Sequence, residues 1–393
     1  MATILFTWEL GQGFGHLALL RPIGLELEAR GHRIVVASQN VTTAHKALPA
    51  HWPVYQSILP PNWTKPPDAP KRTGSYAEIL QARGLANADT AAAIINGWGR
   101  LFDLVQPDVL VAETSPMALA AALGRLPRVV LGNGFAMPPT HLPEFPPLTP
   151  SEAWQAPHEA AWSALEGALA ATGRPALSAL PQLYAADLRI CATLPPFDPY
   201  AEWRRDELYG LIEPLQPAAG NQQPGERIFA YLNGSYPQTD EVLTAIAGNA
   251  SRFSLYVTDM PAGMNEQLRE RGSVVYDSPA DYAEVLPQAK AVMSHGNLRT
   301  SMSAMAVGRP QLLVPVAMER QLTADYVVST GAGLILTGIN RGKLKKAIDR
   351  FVDDEQVAER ARAASHELHR IARYVTAGQC ADGVEAVLQR AGG

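Results

Sequence analysis

The sequence predicts an α/β protein of two Rossmann-like, parallel-sheet domains whose functional ends face a central cleft. Two observations carry this expectation. Strand-like apolar runs alternate with helical segments in two separate series. In each series a histidine stands beside glycine where an apolar run gives way to a helix. Gly11-Gln-Gly13-Phe-Gly15-His16 follows the run Ile4–Trp8, and Ser294-His295-Gly296-Asn297 follows the run Ala291–Met293. A chain of 393 residues has room for about two or three domains.

The first series opens with a buried strand at Ile4–Trp8. A helix over His16–Arg30 follows, with Leu17, Leu20 and Leu27 on its apolar positions and Gly31 as its stop. Arg33–Ser38 reads as a strand and Leu59–Pro70 as a proline-rich loop containing Trp63. Tyr76–Leu104 is largely helical. Asp108–Ala112 is a strand, Met117–Gly124 a helix and Arg128–Leu131 a strand. Met137–Pro150 holds six prolines, which predicts an irregular surface loop. Glu152–Ala171 reads as a helix, Arg189–Ala192 as a short strand and Thr193–Pro199 as linker.

The second series has strands at Ile228–Leu232, Ser254–Thr258, Ser273–Tyr276, Ala291–Ser294, Gln311–Val314 and Leu334–Leu336. Helices are expected at Asp240–Gly248, Thr300–Gly308 and Gln321–Gly331. Two long helical stretches, Gln356–Ala377 and Ala381–Ala391, close the chain. The expected division is an N-terminal domain over 1–195, a linker over 196–220 and a C-terminal domain over 221–371. The last helix, about 372–393, returns to the first domain. The halves show no residue-level repeat.

Composition narrows the function classes. A formal net charge of -5 with no basic block argues against nucleic-acid binding. Cys191 and Cys380 are the only cysteines; they give neither a metal spacing nor a disulfide framework, which fits a reducing cytoplasm. The N-terminus shows no signal-peptide pattern and no run is apolar enough for a membrane span. Peripheral membrane contact stays open.

The first loop fails as a dinucleotide fingerprint. His16 occupies the position of the third glycine, and the second strand runs into Ser38-Gln39-Asn40 with no acid for a ribose. His366 and His369 lie three apart on a helix without an evident third ligand, so no metal site is read from them. A histidine at a helix start does project toward the carboxyl ends of the strands, where ligands bind in such sheets. There a neutral imidazole can take a proton from a substrate hydroxyl. Such a base needs an orienting carboxylate, and Glu113 at the end of its strand is the candidate. The plainer alternative has His16 and Glu113 capping or packing helices. In the second loop, the helix N-terminus with His295, Arg299, Thr300 and Ser301 suggests an anion site. Its alternative is Thr300 as a simple cap and Arg299 as surface charge.

At these residues the chain resembles the inverting glycosyltransferases of the GT-B fold, family-1-like, a group that includes UDP-glycosyltransferases and bacterial macrolide and rhamnosyl transferases. Gly13-Phe-Gly15-His16 through Pro22, then Arg30-Gly31-His32, resembles their N-terminal signature. Val111-Ala112-Glu113 resembles the position that orients the base, and Asn233-Gly234-Ser235 their donor loop. From Val292 to Leu336, the residues His295, Gly296, Thr300, Gly308, Pro310, Pro315, Glu319, Ala324 and Gly331 match the group's HGGxGTxxEAL, GxP, PxxxDQxxNA and GAG pattern in order. Asn297 and Arg299 replace glycines, Ser303 replaces a glutamate, and Arg320 precedes Gln321 where glutamine should follow Glu319 directly.

The resemblance implies a metal-independent hexosyltransferase with no cofactor, taking a nucleoside-diphosphate sugar (UDP or dTDP) as donor substrate. His16 is implied as catalytic base and Glu113 as its partner. Gly13, Gly15, Asn233, Gly234, Ser235, Ser278, His295, Gly296, Asn297, Arg299, Thr300, Ser301, Glu319, Arg320 and Gln321 are implied for the donor. The acceptor is unspecified: a small apolar molecule, a lipid or a protein side chain. Trp52, Trp63, Phe135, Met137 and Phe145 suggest an apolar acceptor surface, with ordinary packing as the alternative. Two other readings are a sugar-nucleotide 2-epimerase-like enzyme and a non-catalytic nucleotide-sugar-binding or activator subunit.

Overall fold

The computed structural model describes residues 1–11, 14–60, 74–149, 155–219 and 224–392. The chain divides into two compact units, Met1–Glu213 with Arg373–Gly393, and Pro214–Ala372. The first runs β1 (Thr3–Trp8), α1 (Gly15–Ala29), β2 (Arg33–Ser38), α2 (Val41–Ala47), β3 (Val54–Gln56), α3 (Tyr76–Ala82), α4 (Ala88–Val105), β4 (Val109–Glu113), α5 (Pro116–Ala122), β5 (Arg128–Gly132), α6 (Gln155–Ala171) and β6 (Leu188–Cys191). The second runs β7 (Ile228–Asn233), α7 (Pro237–Ala247), β8 (Phe253–Thr258), α8 (Met264–Glu270), β9 (Val274–Val275), α9 (Tyr282–Gln288), β10 (Ala291–Ser294), α10 (Leu298–Ala306), β11 (Gln311–Leu313), α11 (Met318–Ser329), β12 (Gly333–Ile335), α12 (Arg341–Ala347) and α13 (Glu355–Ile371). The last helix, α14 (Ala377–Ala391), belongs to the first unit.

Each unit holds one six-stranded sheet, ordered β3-β2-β1-β4-β5-β6 and β12-β11-β10-β7-β8-β9. Every pairing is parallel. Counted from each unit's first strand, both orders read 3-2-1-4-5-6, the doubly wound arrangement. The halves therefore repeat a topology that no residue-level repeat reveals. The strands are apolar on both faces because helices cover both sides. In the first unit, Leu5, Val35, Leu110 and Val130 face one buried cluster, and Phe6, Trp8, Val36, Val111 and Val129 face the other.

The return of α14 has a specific clasp. Arg30 Nη1 donates to Asp382 at 2.6 Å and to Glu385 at 2.7 Å, and His32 Nε2 lies 2.9 Å from the other Glu385 oxygen. Cys380, Ala381, Val384 and Val387 then bury against the cluster under β1 and β4. The Arg30-Gly31-His32 stretch thus ties the chain's end to its beginning.

Two expectations are corrected. Thr193–Pro199 is not linker: it lies within the first unit, with Thr193, Leu194, Phe197 and Asp198 buried and a short 3-10 turn at Pro195–Phe197. The described part of Met137–Pro150 is not simply a surface loop, because Met137 and Phe145 are fully buried. One ion pair explains both. The Arg204 guanidinium pairs with Asp198, and its Nη2 donates to Met137 O at 3.0 Å and Gly134 O at 3.2 Å. Proline fixed these backbones without exposing them. Leu59–Pro70 and Trp63 lie largely or wholly outside the described residues.

Replacing Arg204 with methionine leaves Asp198 buried without its cation. The expected loss is about 3–5 kcal/mol of unfolding free energy in urea titration; a change under about 1 kcal/mol overturns the anchoring role.

A histidine–glutamate pair and a neutral histidine at two switch points

In an open parallel sheet the order reverses between its first and fourth strands, and the loops beyond their carboxyl ends part to leave a crevice. In the first unit these strands are β1 and β4, and Trp8 and Glu113 are register partners at their ends. His16 is the second residue of α1, which follows β1. Its Nδ1 lies 2.8 Å from each oxygen of Glu113. Glu113 is 2% exposed, and the His16 ring stacks on Trp8 with centroids 5.0 Å apart and planes 21° apart. Trp8 is itself held by Nε1, which donates to Leu10 O at 2.6 Å. A carboxylate accepts only, so Nδ1 carries the proton and Nε2 carries the basic lone pair.

The turn after Glu113 is tight. Thr114 has φ 43°, unusual for a β-branched residue. Its hydroxyl donates to Glu113 Oε1 at 3.0 Å, and Ser115 Oγ donates to Glu113 O at 3.0 Å. Gly11 has φ 96°, and the space a Cβ would take there is filled by the His16 ring at Nε2. That glycine serves the packing of the histidine. Gly15 differs: nothing lies within 4 Å of the position of a Cβ there. Gly13 lies outside the described residues.

The corresponding strands of the second unit are β7 and β10. His295 follows β10 and is 2% exposed. Its Nδ1 donates to Val314 O at 3.0 Å, and its Nε2 accepts from Asn233 N–H at 3.1 Å. Burial pushes its pKa down from the ordinary 6.5 to about 4, with the nearby Arg320 cation in the same direction. His295 is therefore a neutral brace between two loops, and the expectation that it offers a side-chain donor to an anion is corrected. Asn233 Oδ1 accepts from Ser235 N at 2.7 Å and Ser235 Oγ at 2.6 Å, closing the Asn233–Ser235 turn. Gly234 has Asp259 O where a Cβ would be, and Gly296, at φ 79°, has Arg320 O at 2.6 Å from that position.

Asn297 is the N-cap of α10 but makes no side-chain capping bond. Arg299 is exposed. Thr300 lies inside α10, whose N-cap is Asn297, and its hydroxyl pairs with Tyr282 Oη at 2.9 Å. Ser301 Oγ and Arg320 Nη1 are buried without a hydrogen-bond partner among the described residues. The Arg320 guanidinium lies 4.9 Å over the Tyr236 ring, which meets His295 edge-on at 5.1 Å. Tyr236 thus joins Asn233–Ser235, His295 and Arg320, and sequence reasoning missed it although it directly follows Ser235. Glu319 and Gln321 share the first turn of α11 with Arg320; Gln321 donates to Asp325 at 2.7 Å. Ser278 is exposed beyond β9. The second loop is cationic around a neutral core, suited to an anion.

Of the acceptor-surface residues, Trp52, Met137 and Phe145 are core, which supports ordinary packing for them, and Phe135 is half-buried. His369 is half-buried and meets Ala306 O at 3.1 Å. No helix among the described residues is long and apolar enough to cross a membrane.

Residues 278–372 match a family model described as erythromycin biosynthesis protein CIII-like, C-terminal domain. NDP-glycosyltransferase YjiC of Bacillus subtilis is 31% identical over 81 residues, 20% of this chain and 21% of that protein. The O-mycaminosyltylonolide 6-deoxyallosyltransferase of Streptomyces fradiae is 34% identical over 86 residues, 21% of this chain and 20% of that protein. The chain thus spans about a fifth of the length of these curated relatives, and 31% of a Mycobacterium bovis protein that is 29% identical over 135 residues. The calicheamicin glycosyltransferase CalG4 superposes with a TM-score of 0.66 at 22% identity over 99% of this chain and 98% of that one. The spinosyn rhamnosyltransferase SpnG complexed with thymidine diphosphate gives 0.64 at 17% identity, over 98% and 100%.

Two measurements check this geometry. Gly11→Ala should displace the His16 ring and cost about 1–2 kcal/mol for the left-handed backbone, while Gly15→Ala folds as stably as the parent; equal stabilities in urea contradict the packing. With a folded pKa of about 4 below the unfolded value, His295 leaves stability unchanged above about pH 6.5 and lowers it as pH falls toward 4, by up to about 1.4 kcal/mol per unit. The His295 ring should still be neutral near pH 5 by NMR; a midpoint near 6.5 contradicts its burial as a brace.

The fold expectation is borne out: the chain has the two-domain GT-B fold, and its residues 278–372 match an EryCIII-like C-terminal domain.

Proposed function

We propose that this chain is an inverting glycosyltransferase that moves a sugar from a nucleoside-diphosphate sugar to an acceptor hydroxyl. The observation that carries the reading is the His16–Glu113 pair, with both carboxylate oxygens 2.8 Å from Nδ1. It leaves Nε2 to take the proton of an acceptor hydroxyl, and Glu113 stabilises the imidazolium that forms. The acceptor oxygen attacks the anomeric carbon as the bond to the diphosphate breaks, which inverts that carbon. A small apolar aglycone is the favoured acceptor, because a spinosyn aglycone complex stands among the similar structures.

The donor belongs to the second unit. The first-turn N–H groups of α10 lack intrahelical partners and favour an anion. Arg320 Nη1 and Ser301 Oγ, both buried and unsatisfied, are groups that a diphosphate would complete. Arg299 adds charge at the same helix start. These cations balance the leaving diphosphate from the chain's own residues, so the reaction needs no resident cofactor. Thymidine diphosphate in two similar structures supports a dTDP-sugar as donor.

The test is a thermal-shift screen against UDP, dTDP and GDP and their sugars, followed by a transfer assay with chelator present. A specific shift with one diphosphate is expected. His16→Ala should lower turnover by about 10²–10⁴-fold while that shift survives. Unchanged turnover in the variant sinks the base assignment, and isomerised sugar from donor alone would reassign the protein as an epimerase.

A further inference from the structure

We infer that Glu9 is a positioning residue that holds the His16–Glu113 pair from the opposite face of the sheet. The inference rests on reading His16 as the base. Glu9 directly follows Trp8, and the two-residue alternation of an extended chain turns it to the other face. There it is 1% exposed. Its oxygens receive the start of α5: Met117 N donates to Oε2 at 2.9 Å and Ala118 N to Oε1 at 2.7 Å.

This is capping supplied from another strand. The N-cap of α5 is Ser115, which makes no side-chain capping bond because its hydroxyl is turned back to Glu113 O. Pro116 follows and has no N–H to satisfy. The next two N–H groups belong to Met117 and Ala118, and Glu9 takes both. A helix start buried without such an acceptor is costly. Only Thr114, Ser115 and Pro116 separate Glu113 from these anchored positions. The turn enters through Leu10 N, which donates to Thr114 O at 3.0 Å, and leaves through Glu9.

Thr114 at φ 43° is the kind of backbone that persists only where its surroundings over-determine it. Glu9 supplies one side of that constraint and Leu10 the other. Release of the α5 start lets Thr114 relax toward an ordinary conformation, and the Glu113 carboxylate swings with it. Burial pushes the Glu9 carboxyl up to about 8, against the pull of the Met117 and Ala118 N–H groups and of Trp98. Glutamine keeps the size and shape of the side chain but not its two acceptors, because the amide nitrogen cannot accept.

The experiment measures Glu9→Gln and Glu9→Leu beside the parent and Glu113→Gln. The first readout is the ring titration of His16 by NMR in the free protein, which needs no turnover. The second is kcat and donor KM. Loss of an aligned carboxylate lowers a histidine's pKa, so the His16 midpoint should fall in both Glu9 variants toward that of Glu113→Gln. kcat should fall about tenfold or more with donor KM within about twofold. If Glu9→Leu does not fold, Glu9→Gln carries the test. Lowered thermal stability with an unchanged His16 titration and unchanged kcat overturns the inference and leaves Glu9 a folding residue. A shifted titration in a protein that transfers no sugar upholds the positioning role and overturns the proposed function instead.

Discussion

The register between β1 and β4 is the constraint on which the chemistry of the first unit depends. It sets Trp8 beside Glu113 at the point where strand order reverses. From there the His16 ring has two fixed neighbours, an indole beneath it and a carboxylate at Nδ1. A shift of one residue in that pairing turns Glu113 to the other face. The pair is therefore a consequence of sheet geometry before it is one of helix geometry. Parallel pairing also explains why residues 97 positions apart meet without a local motif.

The second unit meets the same topological constraint with different chemistry. His295 sits at the matching switch point, yet its surroundings reverse its character. His16 faces a carboxylate; His295 is held neutral by its burial, with the nearby Arg320 guanidinium acting in the same direction. One imidazole is paired with a carboxylate and the other is a buried neutral ring. His295 keeps the Asn233–Ser235 turn against the sheet through its bonds to Asn233 N–H and Val314 O.

Much of the fold was legible in the chain. Strands such as Arg33–Ser38 and Ala291–Ser294 are uninterrupted apolar runs between turn residues, the form a doubly covered parallel strand must take. Several of the short helices were not legible. α2, α8, α9 and α12 each have seven residues, too few turns to display a 3.6-residue period. Proline misled at Thr193–Pro199 and Met137–Pro150, because it marks irregular backbone and says nothing of burial. The buried Asp198–Arg204 pair that draws these segments inward joins residues without any periodic signal. His16 and Glu113 were readable because each ends an obvious strand or starts an obvious helix. Glu9 was not, since a carboxylate just past a strand looks like the first solvated residue of a loop.

The glycines of the two loops show why motif shape alone is a weak guide. Read as sequence, they leave room for a ligand to approach the backbone. In the folded chain, Gly11 makes room for the His16 ring and Gly296 for the Arg320 carbonyl. Each is small because a neighbouring part of the same protein occupies the space. This accounts for the replacement of other glycines in the second loop by Asn297 and Arg299: the close approach there is already made at Gly296, and positions at the start of α10 face outward enough to carry side chains. The loop exchanges backbone flexibility for an exposed cation at Arg299.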